Sequence, residues 1–325
     1  MTPLLEVDNL HRDYRLRRAP WQRAETVQAL AGVSFELHAA HTLGVVGESG
    51  CGKSTLARLL ALIEAPSAGR VRLDGEVVAL DDARALRRAR PRVQMVFQNP
   101  YASLNPRQRV GDALAEPLRL CGRGSAAERR DAACAMLQRV GLDAAHAMRF
   151  PHMFSGGQRQ RIAIARALML HPALVVADEP ASALDVSVRA QVLNLLQELG
   201  DAFGIAYVFI SHDLDVVRHV ADDLLVMYLG RCVESGAAQR VLDAPLHPYT
   251  RALVAATPRL HRSTARVVLA GEPPSPLHPP PACAFHPRCP HAQPRCRAER
   301  PVLRLVGEQW VACHRADEIA RGVLG

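Results

Sequence analysis

The chain has 325 residues, enough for one large or two modest domains around a sizeable core. Hydrophobic residues at 49% and charged residues at 22% exclude a disordered or collagen-like chain, and aromatics at 4% call for an aliphatic core. No run of about 18 apolar residues occurs, which excludes a membrane-spanning helix; the net charge of +8 allows an acidic partner or merely reflects dispersed arginine.

Met1 to Leu10 carries Glu6 and Asp8, so no secretory leader is expected and the eight cysteines are expected to be reduced, as in a cytosolic protein. Leu4 to Leu10 alternates weakly and predicts a strand. Tyr14 follows within the basic stretch Arg12 to Arg18. An aromatic just ahead of a glycine loop can stack on a base, or it can be an exposed tyrosine. Val27 to Leu37 predicts more strand, with a turn at Gly32. Thr42 to Val46 is an apolar strand that runs into Gly47-Glu48-Ser49-Gly50-Cys51-Gly52-Lys53-Ser54-Thr55 and then a helix from Leu56 to Ile63. The pattern G-x-x-x-x-G-K-S is a phosphate-binding loop. Its glycines let backbone N–H groups turn inward around a triphosphate, and the helix start adds positive partial charge. Lys53 would reach the outer phosphates and the Ser54 hydroxyl would hold Mg2+. Of the 40 lysines and arginines, Lys53 is the only lysine. A compact ammonium does among phosphates what a planar guanidinium does poorly.

Arg70 to Gly75 predicts a strand and a turn. Arg92 to Pro100 is an apolar strand that ends at Gln98, whose amide oxygen could ligate Mg2+ or a water, or simply belong to a turn. Val110 to Ala147 is mostly helical in pattern, broken at Gly122 to Ser125, and predicts a helical insert within a sheet domain. Ser155 then caps a helix whose first residues are Gly156, Gly157 and Gln158. Two glycines at a helix start expose N–H groups to an anion, or belong to a plain capped turn. Leu174 to Ala177 is all apolar and ends in Asp178-Glu179, as expected for a buried strand of a parallel sheet with its carboxyl end at the ligand crevice. Asp178 would hold Mg2+ through water and Glu179 would orient or deprotonate the attacking water, unless the pair is a solvent-facing turn. Ser182 to Asp185 caps a helix from about Ser187 to Phe203. Ile205 to Ser211 is the next buried strand, ended by His212, which could bond the terminal phosphate or be an ordinary histidine. Leu224 to Leu229 and Cys232 to Glu234 are expected to close the sheet.

Beyond Thr257 the composition changes. Pro273, Pro274, Pro276 and Pro279 to Pro281 predict a stiff linker. Cys283, Cys289, Cys296 and Cys313 follow, spaced C-x5-C-x6-C-x16-C. Four thiolates in one tail suggest a tetrahedral metal site, with His286, His291 and His314 near enough to offer nitrogen to zinc; a metal-free tail is the third option. Cys51, Cys121, Cys134 and Cys232 are scattered and are expected to be buried free thiols.

Taken together, these motifs resemble the nucleotide-binding subunit of ABC transporters. The resemblance assigns Gly47 to Thr55 as the phosphate loop, Gln98 as the Q-loop glutamine and Ser155 to Gln158 as the signature. It assigns Asp178 and Glu179 as the Walker B pair, Ser182 to Asp185 as the D-loop, His212 as the switch histidine and, loosely, Tyr14 as the adenine-stacking aromatic. Gln98 to Pro106, Ala183 to Val192 and His247-Pro248-Tyr249-Thr250-Arg251-Ala252-Leu253 are similar to the dipeptide and oligopeptide importer branch, with the F-type dipeptide ATPase subunit most alike. Two departures are visible: Ala40-His41 stands for the usual Gly-Glu, and Phe154 for the broad family's leucine.

The resemblance implies an α/β P-loop NTPase fold: a mostly parallel central sheet, an N-terminal antiparallel β element and a helical insert at about 105–155. An ATP-binding domain would span 1–257 and a Pro/Cys-rich extension 258–325. It also implies ATP and Mg2+ as ligands and, on the four tail cysteines, a [4Fe–4S] cluster, with zinc as the alternative. The implied partners are a second, different ATPase chain arranged head to tail, two permease subunits and, indirectly, a solute-binding protein, at the cytoplasmic face of the plasma membrane. Nucleic acid is not expected, although a DNA-repair or chromosome ATPase shares the nucleotide motifs. Within transport, nickel chelates are an alternative cargo to peptides.

Overall fold

The computed structural model describes residues 2–16, 25–99, 103–257 and 271–324. Arg17 and Arg18, the Pro100-Tyr101-Ala102 segment and the start of the extension at 258–270 lie outside the described residues.

Five strands open the chain: β1 (Leu5–Leu16), β2 (Glu25–Leu37), β3 (Thr42–Val46), β4 (Ala68–Leu73) and β5 (Glu76–Val77). All but β3 form an antiparallel sheet in the order β2-β1-β4-β5. The turn expected at Gly32 is instead an irregularity within one continuous strand. The pairing steps from Leu10 opposite Val33 to His11 opposite Ala31, and Gly32 is passed over at φ +92. A bulge accommodates such a residue without ending the strand. The turn after Leu73 is present: Asp74 and Gly75 take φ +50 and +77, as a two-residue hairpin demands.

β6 (Val93–Val96), β7 (Leu174–Asp178), β8 (Ala206–Ile210), β9 (Asp223–Tyr228), β10 (Arg231–Ala237), β11 (Arg304–Val306) and β12 (Gln309–Val311) complete the second sheet, ordered β11-β12-β10-β9-β3-β8-β7-β6. From β9 to β6 all neighbours are parallel. The central strands β7 and β8 read as apolar runs because both faces are covered, whereas the edge strand β6 carries the half-buried Gln94. In β7, Leu174 and Val176 join the core beneath Leu56, Leu59 and Leu60 of the phosphate-loop helix (Lys53–Leu60), while Val175 and Ala177 join the core shared with the helical insert.

The sheet does not close at β10. The tail folds back as a hairpin and lays β12 antiparallel on β10, pairing Glu234 with Val311 and Ser235 with Trp310.

The insert consists of helices Val110–Leu120 and Ala126–Arg139, with the expected break at Gly122 to Ser125. Ser125 and Glu128 form a reciprocal capping box that starts the second helix. Leu114 and Leu137 are fully buried. Among the described residues no helix is long and apolar enough to cross a membrane.

Candidate functional site

The phosphate loop joins the end of β3 to the helix Lys53–Leu60. Two of its glycines are dictated by close backbone approach. A Cβ on Gly47 would stand 2.3 Å from the Met227 carbonyl oxygen, and one on Gly52, at φ +107, would stand 2.4 Å from that of Ala29. Gly52 is also the helix N-cap and supplies no side-chain cap, so the first-turn N–H groups remain available to an anion. Lys53 is buried, and its Nζ donates to the carbonyls of Gly47 at 2.7 Å and Glu48 at 3.0 Å. The ammonium is thereby held inside the loop's curve. Ser49, Gly50 and Ser54 are exposed, and Thr55 is half-buried. Cys51 is buried beside Lys53, and burial pushes its thiol up.

The ends of β6, β7 and β8 converge on one carboxylate. Glu179 Oε2 accepts from Gln98 Nε2 at 2.9 Å, and Oε1 stands 3.0 Å from His212 Nδ1. The Glu179 backbone takes φ +48, a left-handed conformation that costs a non-glycine residue about 1–3 kcal/mol. It is held there by its N–H, which donates to the Ile210 carbonyl at 3.0 Å, and by its own carbonyl, which accepts from Ser182. Asp178, the last residue of β7, lies 3.5 Å from Ser54 Oγ. Burial raises its carboxyl above the ordinary value and the neighbouring Glu179 charge adds to this. A half-buried carboxylate facing a hydroxyl suits a divalent cation, which would relieve that cost. Ser54 and Asp178 are thus the residues fitted to hold Mg2+. Gln98 turns its amide nitrogen to Glu179, so its oxygen is left for any metal or water.

Ser155 caps the signature helix (Gly156–Leu168) as expected. Its hydroxyl accepts from Gln158 N, and Gln158 Oε1 accepts from Ser155 N, a full capping box. Gly157 is required by packing: a Cβ there would stand 2.4 Å from Val188 Cγ1. Val188 belongs to the helix Val186–Phe203, whose N-cap is Asp185; the Asp185 side chain makes no capping hydrogen bond. Signature and D-loop therefore form one continuous patch. No hydrogen bond or ion pair joins 155–158 to 47–55 among the described residues.

Tyr14 lies on β1 opposite Val27, two residues before Ala29, whose carbonyl abuts Gly52. Its hydroxyl donates to Glu64 at 2.6 Å, and the Arg12 guanidinium sits 4.8 Å from its ring centroid.

In the tail, Cys296 is buried and Cys283, Cys289 and Cys313 are half-buried. The thiols share a neighbourhood. Burial, with a smaller contribution from the charge of fellow cysteines, pushes Cys289 up to about 11 and Cys313 up to about 12. Four soft donors suit zinc or an iron–sulfur cluster chemically. Among the described residues, however, no group of three or more His, Cys, Asp or Glu is arranged to hold a metal ion. Of the scattered cysteines, Cys51 and Cys232 are buried as expected, whereas Cys134 is half-buried and Cys121 is exposed just past the helix Val110–Leu120.

Sequence reasoning missed the outer face of the phosphate loop. Glu48 N donates to Tyr249 Oη at 2.7 Å, and the Glu48 carboxylate accepts from both terminal nitrogens of Arg288, at 2.7 and 2.9 Å. No local signal links residues 240 positions apart. Near this junction Glu234 is fully buried and accepts from the N–H groups of Leu246 at 2.6 Å and His247 at 3.0 Å. Burial raises Glu234 to about 7 and lowers His247 to about 3.

A family model described as ABC transporter matches residues 30–182, and one described as Oligopeptide/dipeptide transporter, C-terminal region, matches 233–296. The chain is 57% identical to the di/tripeptide transport ATP-binding protein DppF of Pseudomonas aeruginosa, over 98% of this chain and 99% of that one. It is 52% identical to the dipeptide transport ATP-binding protein DppF of Escherichia coli, over 97% and 95%. Among solved structures it is similar to the dimeric ATP-binding cassette MJ0796 bound to ADP and Pi. The TM-score is 0.64 at 28% identity, covering 72% of this chain and 98% of that one.

Proposed function

This chain belongs to the ABC transporter family, in its oligopeptide/dipeptide branch, and from that premise we propose how its residues divide the work. It is the ATP-binding subunit of a dipeptide or oligopeptide importer and couples ATP hydrolysis to transport. Near-full-length relatives named for di- and tripeptide transport favour an importer over a DNA-repair or chromosome ATPase, and peptide over nickel-chelate cargo.

Lys53 and the first-turn amides of its helix grip the outer phosphates, with Gly47 to Thr55 as the cradle and Tyr14 beside the adenine. Ser54 and Asp178 would hold Mg2+, which when bound neutralises phosphate charge; Gln98 adds an oxygen. Glu179 orients and deprotonates the water, with Gln98 and His212 fixing both its oxygens. The observation that carries this reading is the convergence of those three side chains from three adjacent strand ends. The Ser155–Gln158 helix start and Asp185 are offered to the nucleotide of a second ATPase chain, packed head to tail. That partner is a different chain. The pair sits on two permease subunits at the cytoplasmic face of the plasma membrane and serves a solute-binding protein through them. In the assembled transporter, phosphate release should require Mg2+ and stop in Lys53→Ala; undiminished release in that variant would sink the assignment.

The four tail cysteines, Cys283, Cys289, Cys296 and Cys313, would hold a [4Fe–4S] cluster, which would staple short segments that have little core of their own. The support is their number and their donor type. Anaerobic purification should give a brown chain with about four irons. A colourless chain carrying one zinc would favour the alternative.

A further inference from the structure

The phosphate loop is gripped from outside by the tail. Three separate groups of Glu48 are engaged. Its N–H donates to Tyr249 Oη, its carbonyl accepts from Lys53 Nζ, and its carboxylate takes the two-pronged guanidinium of Arg288. The Arg288 side chain is 4% exposed, and Nη1 also reaches Tyr228 Oη at 3.4 Å. Tyr228 packs its ring 4.7 Å from that of Tyr249 and 5.4 Å from that of Phe285. It follows Met227, whose carbonyl forces a glycine at position 47. The wall behind the loop is thus one packed unit: the end of β9, the helix Pro248–Ala256 and the segment that carries Arg288.

We propose that Arg288 and Tyr249 are positioning residues for the ATP-binding loop, holding the Glu48 peptide so that its carbonyl seats Lys53 and neutralising the Glu48 carboxylate beside the incoming triphosphate. The proposal rests on the ATP-binding reading above and deepens it. The geometry is suited to the task. A two-pronged guanidinium–carboxylate pair fixes direction as well as distance, and with Arg288 buried and Glu48 24% exposed it is screened less than a surface pair. A Glu48 carboxylate left unpaired would oppose phosphate binding through its charge.

The test uses the full-length chain, with Mg-ATP binding measured directly and hydrolysis measured in the assembled transporter. Arg288→Ala should weaken ATP binding at least tenfold, and the loss should fall on KM rather than kcat. Adding Glu48→Gln to Arg288→Ala should restore most of the affinity, because the stranded charge is gone. Tyr249→Phe keeps the ring packing and removes one hydrogen bond, so it should cost about three- to tenfold. Should Arg288→Ala not fold, Tyr249→Phe carries the test by itself. Wild-type affinity in Tyr249→Phe would overturn the proposal, as would a loss in Arg288→Ala that Glu48→Gln does not relieve, since that marks a packing role. A wild-type chain that binds no ATP would instead overturn the functional reading.

Discussion

The two halves of the eight-stranded sheet solve different problems. From β9 to β6 the strands are parallel, and Leu174 to Ala177 are entirely shielded from solvent. Backbone pairing and burial on both faces fix where each strand ends, and Asp178, Glu179 and His212, the groups proposed to act on the nucleotide, stand at those ends or just past them. From β10 to β11 the pairing is antiparallel, and the outer two strands, β12 and β11, have three residues each and bury one face. Val306 and Val311 face inward, whereas Leu305 and Trp310 are about half exposed. Here side chains do the anchoring: Glu234 ties the chain at Leu246 and His247, and Arg288 ties the tail to the phosphate loop. The lesson is that a buried parallel sheet places chemistry through its backbone, while a thin antiparallel edge must rely on particular polar pairs.

The largest expected effect breaks or upholds the parallel half. Glu179→Gln keeps the size and both neighbours of the side chain but removes the proposed base. Turnover should fall roughly a hundred- to ten-thousandfold while ATP binding persists. Normal turnover in single-cycle hydrolysis would show that strand-end placement does not make Glu179 the base.

The next effect probes the antiparallel half through pH. Folded Glu234 keeps its proton up to about 7, against an ordinary value of 4.5. Folded His247 stays neutral down to about 3, against 6.5. Between pH 4.5 and 6.5 the folded protein carries the carboxyl proton and the unfolded chain carries the imidazole proton. The counts match, so the pair contributes no slope. Glu234→Gln leaves His247 alone. The unfolded chain then binds one more proton below pH 6.5, and stability should fall by about 1.4 kcal/mol per pH unit as pH drops towards 3. Denaturant titrations across that range check the slope; identical profiles for wild type and variant would mean that the buried pair does not set it.

A smaller effect sharpens the boundary between signature and D-loop. Gly157→Ala drives a methyl into Val188 and should cost about 1–3 kcal/mol, largely recovered by adding Val188→Ala. No recovery in the double variant would place the strain elsewhere. The smallest concerns Ala40, which takes φ +58 where the family commonly has glycine. Ala40→Gly should raise stability by about 0.5–1 kcal/mol, the relief of a left-handed alanine exceeding glycine's extra freedom when unfolded. Thermal unfolding that shifts downward would contradict this.

The parallel half was legible because its signals are local. An apolar run followed by glycines and a lysine, or by two acids, announces strand and site together, and capping at Ser155 announces its helix. Gly32 misled because a left-handed glycine serves a turn and a bulge equally well; only the pairing of His11 with Ala31 distinguishes them. The tail hairpin escaped notice because three-residue strands carry no periodicity. Its cysteines advertised donor chemistry without revealing how the chain would bring them together.

The sequence alone determined that this chain carries a phosphate loop, a strand-end acid pair and a capped glycine helix start, since each is specified within a few positions along the chain. Tertiary structure alone decided that Glu179 is held between Gln98 and His212, that the tail extends the sheet, and that Arg288 braces Glu48. Those contacts join segments from 33 to 240 residues apart. They arise only when the sheet's pairing order brings distant strand ends side by side, and no local pattern of residues encodes that order.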